Sequence, residues 1–283
     1  MGTTTVPRTR GFSQVDVFTA TPLLGNPLAV VHDGTGLSDD QMAAFARWTN
    51  LSETTFLLPP THPEADYRVR IFTPGGELPF AGHPTLGSCH VWLQVGGTPR
   101  RADTVMQECA IGLVPIRRGE RLAFAAPPTS VERIDAELLH RVYAALGLDP
   151  ARVQETAWLS NGFPQLVLRL DGAATVLALK PDHSALKGLG KVGVVAPHPA
   201  GGAVDFEVRF FAAAIGINED PVTGSLNANL ARWLIDNGHA PARYVAAQGT
   251  AMGRAGRVHV QRDEAGTWIG GDVAGCIAGT VSL

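Results

Sequence analysis

"FAGHPTLGS", residues 80–88, sets His83 directly before Pro84 and ahead of a run of small residues. Proline suits the first position of a helix, because its missing N–H would have no partner there. That reading makes His83 the N-cap, a place where Ser, Thr, Asp and Asn are favoured. A histidine there points to a purpose other than capping. The stretch has a counterpart in "DPVTGS", residues 220–225, which fits the same pattern of His or Asp, Pro, two variable residues, Gly and Ser. Both lead into an apolar helix carrying a tryptophan, Trp92 or Trp233, and both follow a similar strand, "VRIF" (69–72) or "VRFF" (208–211). Strand, loop, polar N-cap, proline and Gly-Ser helix occur once in each half of the chain. The chain therefore reads as two related α+β domains.

Around these helices, strand-like segments dominate. "FSQVDVFT", "PLAVVHD", "ETTFLLPP", "DYRVRIFT", "IGLVPIRR" and "RLAFAAPP" alternate or run apolar in the first half. One helix lies among them, "SDDQMAAFARWTN", with Ser38 and Gln41 spaced as a capping box. The helix from His83 is expected to end near Gln94, where two glycines follow. After a proline-bearing connection at Pro127 and Pro128 the pattern restarts, so domains of 1–127 and 128–283 are expected, with the final strand able to return to the first domain. "DAELLHRVYAALGL" is an amphipathic helix with Leu138, Leu139, Val142, Ala145 and Leu146 on one face, stopped by Gly147. "ETAWLSN", "PQLVLRL", "TVLAL", "GKVGVVAP" and "VDFEVRFFAA" read as strands, followed by the helix "PVTGSLNANLARWLIDNG". "AAQGTAMGR", "RVHVQRD", "TWIGGDVAG" and "CIAGTVSL" read as closing strands.

Composition narrows the function. The 283 residues carry 23 Lys and Arg against 26 Asp and Glu, a net charge of −3, with no basic stripe for a nucleic-acid partner. No segment approaches the roughly 20 apolar residues of a membrane span. The opening "MGTTTVPRTRGFSQ" lacks an apolar core, so it reads as a short frayed end rather than a secretory signal. Cys89, Cys109 and Cys276 are an odd number at wide spacings, which suggests reduced thiols in a cytoplasmic protein. In that compartment the sequon at Asn50 is without consequence.

Helix N-termini carry unpaired N–H groups and about half a positive charge, so they attract anions such as a carboxylate. If the two halves close on one another at these tips, His83 and Asp220 face a common cleft as titratable groups. Asp220 is also an ordinary N-cap residue. A third group is Glu53 in "NLSETTFLLPP", at the start of an apolar strand. Beside Leu51, Phe56 and Leu57 its carboxylate risks desolvation, which suits it to proton transfer. Pattern alone favours an exposed strand-end glutamate.

"VDVFTATPLLGNPLAVV", "NLSETTFLLPP", "RIFTPGGELPFAGHPTLGS", "NEDPVTGSLNANLARWL" and "MGRAGRVHV" occur in order across nearly the whole chain. Together they resemble the phenazine-biosynthesis isomerase (PhzF-like) family, which shares the diaminopimelate epimerase fold. The resemblance implies two pseudo-symmetric α+β domains, each a β-sheet rolled around a central helix, with the active site between them. It implies isomerisation without cofactor or metal, and a homodimer. The reaction expected is movement of a proton within a small carboxylate-bearing cyclic or unsaturated substrate, as in dihydro-hydroxyanthranilate isomerisation. Glu53 matches the family's acid/base, and His83 and Asp220 its assisting polar residues. The backbone N–H groups around Gly82, Gly224 and Ser225 would hold the substrate carboxylate. The alternatives are a non-catalytic carboxylate-binding protein on the same scaffold, or an epimerase or racemase. The related racemases use one cysteine per half at these helix tips. Here His83 and Asp220 stand there, and Cys89 lies six positions past His83, about 240° around an ideal helix. Core packing is its expected role.

Other signals lead nowhere. "GLGKVG" (188–193) enters a strand instead of following one into a helix, so it is no dinucleotide fingerprint. No GxSxG or HExxH occurs. Ser88 and Ser225 are read as helix-start packing residues. Lys180, Lys187 and Lys191 share a loop-rich segment that reads as a solvated face.

Overall fold

The computed structural model describes residues 8–283, and these divide into two compact units. Unit 1 comprises residues up to 23, 27–124 and 272–283; unit 2 comprises 24–26 and 125–271. The chain changes unit at 124/125. The last twelve residues, 272–283, belong to unit 1, and a short segment of the first half, Leu24 to Asn26, belongs to unit 2.

Unit 1 contains β1 (Thr9–Val17), β2 (Asn26–Val31), α1 (Asp39–Thr49), β3 (Glu53–Leu58), β4 (Tyr67–Thr73), β5 (Gly76–Leu78), α2 (Gly82–Gln94), β6 (Thr104–Cys109), β7 (Gly112–Arg118) and β8 (Leu122–Ala125). Its pairing runs from the C-terminal strand Val273–Ser282 through β1, β2, β3, β4, β6 and β7 to β8. β2–β3 and β4–β6 are parallel, and each needs a crossover. α1 makes the first and α2 the second. The second crossover runs through the core: α2 packs on β1, β3, β6 and the C-terminal strand. Nine of its first ten residues are buried, Gly82 to Cys89 and Val91. A helix apolar all round is one enclosed on all sides.

Unit 2 contains β9 (Ser130–Glu132), α3 (Ala136–Leu146), β10 (Val153–Ser160), β11 (Pro164–Leu170), α4 (Ala173–Ala178), α5 (His183–Leu186), β12 (Val192–Pro197), β13 (Phe206–Phe211), α6 (Gly224–Asp236), β14 (Arg243–Gln248), β15 (Gly256–Asp263) and β16 (Gly266–Gly271). Its order is β9 through β16 in sequence, with β11–β12 and β13–β14 parallel and the rest antiparallel. α4 and α5 make one crossover and α6 the other, packing on β10, β15 and β16. Parallel, antiparallel, parallel, antiparallel, antiparallel is the same succession as β2–β3–β4–β6–β7–β8. The α+β expectation of a repeated sheet around a central helix holds in each unit, and the final strand β17 is Val273–Ser282.

Local signals explain much of this. Ser38 accepts from the Gln41 N–H while the Gln41 side chain accepts from the Ser38 N–H, closing the expected capping box. Asp135 caps α3, and Gly147 ends it at φ 60°. Val142, Ala145 and Leu146 are buried against β11 and β12 residues such as Leu168 and Val194, with Leu138 and Leu139 at the margin. The segment "TVLAL" is not a strand. Thr175 to Ala178 lie in α4, because a parallel β11–β12 pair demands a crossover element there. In "AAQGTAMGR" the strand ends at Gln248 and a short 3-10 turn, Thr250–Met252, follows. The stretch read as a frayed end is already strand from Thr9, paired to Ser282; its first seven residues lie outside the described ones.

Gly87 is a packing glycine. A Cβ there would stand 2.5 Å from Leu28 Cδ2 and 3.0 Å from Val17 Cγ2, so the small residue serves contact between α2 and its own sheet rather than a ligand. Gly87→Ala is expected to lower unfolding free energy by about 1–3 kcal/mol through overpacking. Urea unfolding checks this, and an unchanged midpoint would contradict it.

Candidate active site

α1 ends at Asn50, which takes the left-handed conformation at φ 53°, a tolerated place for asparagine. Only Leu51 and Ser52 then separate it from β3, so the helix stop sets Glu53 as the first residue of that strand. β3 packs beside α2, and the result is a pair: His83 Nε2 lies 3.6 Å from Glu53 Oε2. Their side chains are 6% and 16% exposed respectively. Glu53 is thus largely enclosed, not the exposed strand-end residue that pattern alone favoured. The next residues turn inward. Thr54 Oγ1 meets Thr49 Oγ1 at 2.8 Å, and Thr55 Oγ1 accepts from Ser88 Oγ at 2.9 Å. Ser88 is fully buried and ties α2 to β3, a packing role as expected.

His83 is not the N-cap. α2 begins one residue earlier, at Gly82, with Ala81 as an N-cap that makes no side-chain bond. Pro84 therefore occupies the third helical position, still within the first turn, where a missing N–H costs nothing. The first intrahelical bond runs from Thr85 N to Ala81 O, so the N–H groups of Gly82 and His83 precede it at the positive end of the helix. This frees the His83 side chain from capping and leaves it beside Glu53.

Asp220 is not an N-cap either. α6 starts at Gly224, four residues later, with Thr223 as N-cap and Asn227 N to Thr223 O as its first bond. The His83–Asp220 match in sequence is therefore not a match in helical position. "DPVT" is held outside the helix by its bonds: Asp220 N donates to Phe210 O at 3.0 Å, and Thr223 N donates to Gln248 Oε1 at 3.0 Å. The Asp220 carboxylate accepts from Asn26 Nδ2 at 3.0 Å and from Thr223 Oγ1 at 2.5 Å. Gly224 and Ser225 open α6. Ser225 Oγ accepts from Gln165 Nε2 at 3.1 Å, and its carbonyl accepts from Asn161 Nδ2 at 2.9 Å. Glu53, His83 and Gly82 gather in unit 1, and Asp220, Gly224 and Ser225 in unit 2.

Sequence reasoning missed Asn26, Gln165 and Gln248, all buried. Asn26 stands between Gly25 and Pro27, where the sequence signals no more than a turn. A lone glutamine inside a strand offers no sequence signal.

The thiols do not belong to this chemistry. Cys89 is fully buried, and burial pushes its thiol up to about 12, while burial also raises Cys109. Thiolates are the reactive form, so neither is poised for proton exchange. Native-state iodoacetamide labelling is expected at the partly exposed Cys276 only, with turnover retained. Labelling of Cys89 in folded protein, read by mass spectrometry, would revive the two-thiol alternative.

Among the described residues no helix is long and apolar enough to cross a membrane. Residues 15–276 match the family model described as phenazine biosynthesis-like protein, PhzC-PhzF. The chain is 35% identical to antisense-enhancing sequence 1 of Schizosaccharomyces pombe, across 95% of this chain and 97% of that one. It is 36% identical to the trans-2,3-dihydro-3-hydroxyanthranilate isomerase of Pseudomonas aeruginosa, across 89% and 90%. In fold it is similar to a Bacillus anthracis phenazine biosynthesis protein of the PhzF family, with TM-score 0.85 at 22% identity over 98% of this chain and 100% of the other. It is more distantly similar to a hydroxyproline epimerase from Agrobacterium vitis, with TM-score 0.64 at 14% identity over 98% and 93%.

Proposed function

This chain belongs to the PhzC-PhzF phenazine biosynthesis-like family and is an isomerase, and from that premise we propose that it moves a proton within a small carboxylate-bearing cyclic or unsaturated substrate, using Glu53 as the single acid/base. The observation that carries the reading is the enclosed Glu53 carboxylate 3.6 Å from His83 Nε2, at the N-terminal end of a buried helix.

The chemistry balances without an added reagent. The Glu53 carboxylate takes a proton from a substrate C–H, and the bonding pair moves into the adjacent unsaturated system. The resulting carboxylic acid returns the proton to a different carbon, so substrate and product are isomers and Glu53 ends ionised. Where the relocated double bond ends at a hydroxyl-bearing carbon the first product is an enol, which becomes the ketone by losing its O–H proton to water and gaining one from water on carbon; neither cofactor nor metal enters the scheme. His83 keeps a ring nitrogen beside the acid/base and helps set its proton affinity. The N–H groups of Gly82, Gly224 and Ser225 sit at helix starts, where a substrate carboxylate is favoured. Asp220 assists as a fixed polar partner. The protein is read as a cytoplasmic homodimer.

The named relative supplies the first substrate to try, trans-2,3-dihydro-3-hydroxyanthranilate. Incubation in deuterated water followed by mass spectrometry of product and residual substrate is expected to show conversion, with deuterium entering the product. A carboxyl group holds one exchangeable proton, so at the carbon that Glu53 protonates internal return competes with exchange and incorporation stays below one deuterium per turnover. If neither conversion nor deuterium appears, this substrate is excluded.

A further inference from the structure

Asp220 is held by a set of hydrogen bonds whose directions are all determined by chemistry. Asn26, 1% exposed, donates from Nδ2 both to the Val222 carbonyl at 2.9 Å and to Asp220 Oδ1 at 3.0 Å. A carbonyl only accepts, so the asparagine amide has one possible orientation. Gln248, fully buried, accepts from the Thr223 N–H through Oε1, which points its Nε2 at the Asp220 carbonyl (3.1 Å) and at Thr223 Oγ1 (3.0 Å). Thr223 Oγ1 therefore accepts a hydrogen bond from Gln248 and donates its own to Asp220 Oδ2 at 2.5 Å. Asn227 Nδ2 completes the set by donating to Gln248 Oε1 at 2.9 Å.

Oδ1 of the carboxylate thus accepts from an amide N–H that cannot reverse, and Oδ2 accepts from a hydroxyl that Gln248 orients toward it. Such bonds favour the ionised form over the protonated one, since a carboxylic O–H would meet a donor instead of an acceptor. We propose that Asn26, Thr223 and Gln248 are positioning residues that lock Asp220 as a fixed anionic acceptor, rather than a group that exchanges protons during turnover. Asn26 does this from outside the C-terminal half. Its segment, Leu24 to Asn26, belongs to unit 2 and is anchored there by Ala255 N to Leu24 O at 2.7 Å and Arg254 Nη1 to Gly25 O at 3.3 Å. Glu53 is then left as the proton carrier. The inference rests on the reading of Asp220 as an assisting residue, and the experiment separates the two.

Variants Asn26→Ala, Asn26→Asp, Thr223→Val, Thr223→Ser and Asp220→Asn are compared with the native protein after thermal melting has shown each to be folded. The direct readout needs no substrate: the carboxyl carbon of Asp220 is followed by NMR as pH is lowered in protein carrying labelled aspartate, assigned by its loss in Asp220→Asn. Its titration is expected to move to higher pH in Asn26→Ala and Thr223→Val, and further in Asn26→Asp, where a second carboxylate stands beside it. Thr223→Ser restores the hydroxyl and is expected to keep the native profile. With trans-2,3-dihydro-3-hydroxyanthranilate as probe, kcat is expected to fall on the order of 10²-fold in Thr223→Val, from lost orientation, with little change in KM. An Asp220 titration unmoved in the folded Asn26→Ala and Thr223→Val variants overturns the lock. A moved titration with full activity in Asp220→Asn sustains the lock and overturns instead the part given to Asp220 in turnover.

Discussion

Glu53→Gln is expected to lose at least about 10³-fold in turnover while melting at the native temperature, within the range general acid–base groups contribute. Glutamine keeps the size and place of the side chain at the head of β3 but cannot take a proton from carbon. His83 lies 3.6 Å from the carboxylate and is retained, so loss in this variant isolates the proton carrier from its neighbour. Glu53→Asp adds a graded test. It keeps the acid but draws it back by roughly one carbon–carbon bond, and a displacement of about 1 Å costs on the order of 10²-fold. Native activity in Glu53→Gln would remove Glu53 from the mechanism, and equal activity in both variants would show that position matters more than proton transfer.

The second large effect concerns stability beside the Asp220 loop. Arg209 on β13 and Glu219 form a two-point ion pair, Nε to Oε1 and Nη2 to Oε2, each at 2.8 Å, with side chains 5% and 10% exposed. The same guanidinium donates through Nη1 to the Val176 and Leu179 carbonyls at the end of α4, at 3.1 and 3.0 Å. Removing one member strands the other as a buried charge, a change that costs about 3–5 kcal/mol. Arg209→Met also orphans two carbonyls, so it is expected to be more damaging than Glu219→Gln. On thermal melting the loss should lower Tm on the order of 10 °C. Replacing both together, Arg209→Met with Glu219→Leu, is expected to recover part of that loss, because no uncompensated charge remains. A single variant within 1 kcal/mol of native would show that the pair is hydrated in solution. Glu219 adjoins Asp220, so lower activity is expected alongside lower stability.

Much was legible in the chain alone because the signals were local. The capping box at Ser38, the stop at Gly147 and the alternation of the strands depend on residues a few positions apart, and the structure places them as expected. The repeated Pro-x-x-Gly-Ser stretch announced a doubled architecture, and the pairing order recurs in both units. The same repeat misled about its own details. Two stretches with matching letters occupy different places relative to their helices, since α2 starts before His83 and α6 starts after Thr223. Helix starts are settled by which backbone groups find partners, and before α6 those partners are Asn26 on the Val222 carbonyl and Gln248 on the Asp220 carbonyl, 196 and 28 residues away.

By itself the sequence determined the composition class, the elements, the doubling and the family-like motifs, because helix and strand periodicity and turn chemistry act over a few residues. Only the tertiary structure decided that Glu53 is enclosed beside His83, that Gly87 and Ser88 serve packing, and that Asn26 reaches Asp220. Enclosure and hydrogen-bond direction depend on which distant segments arrive together, and that is a property of the folded chain.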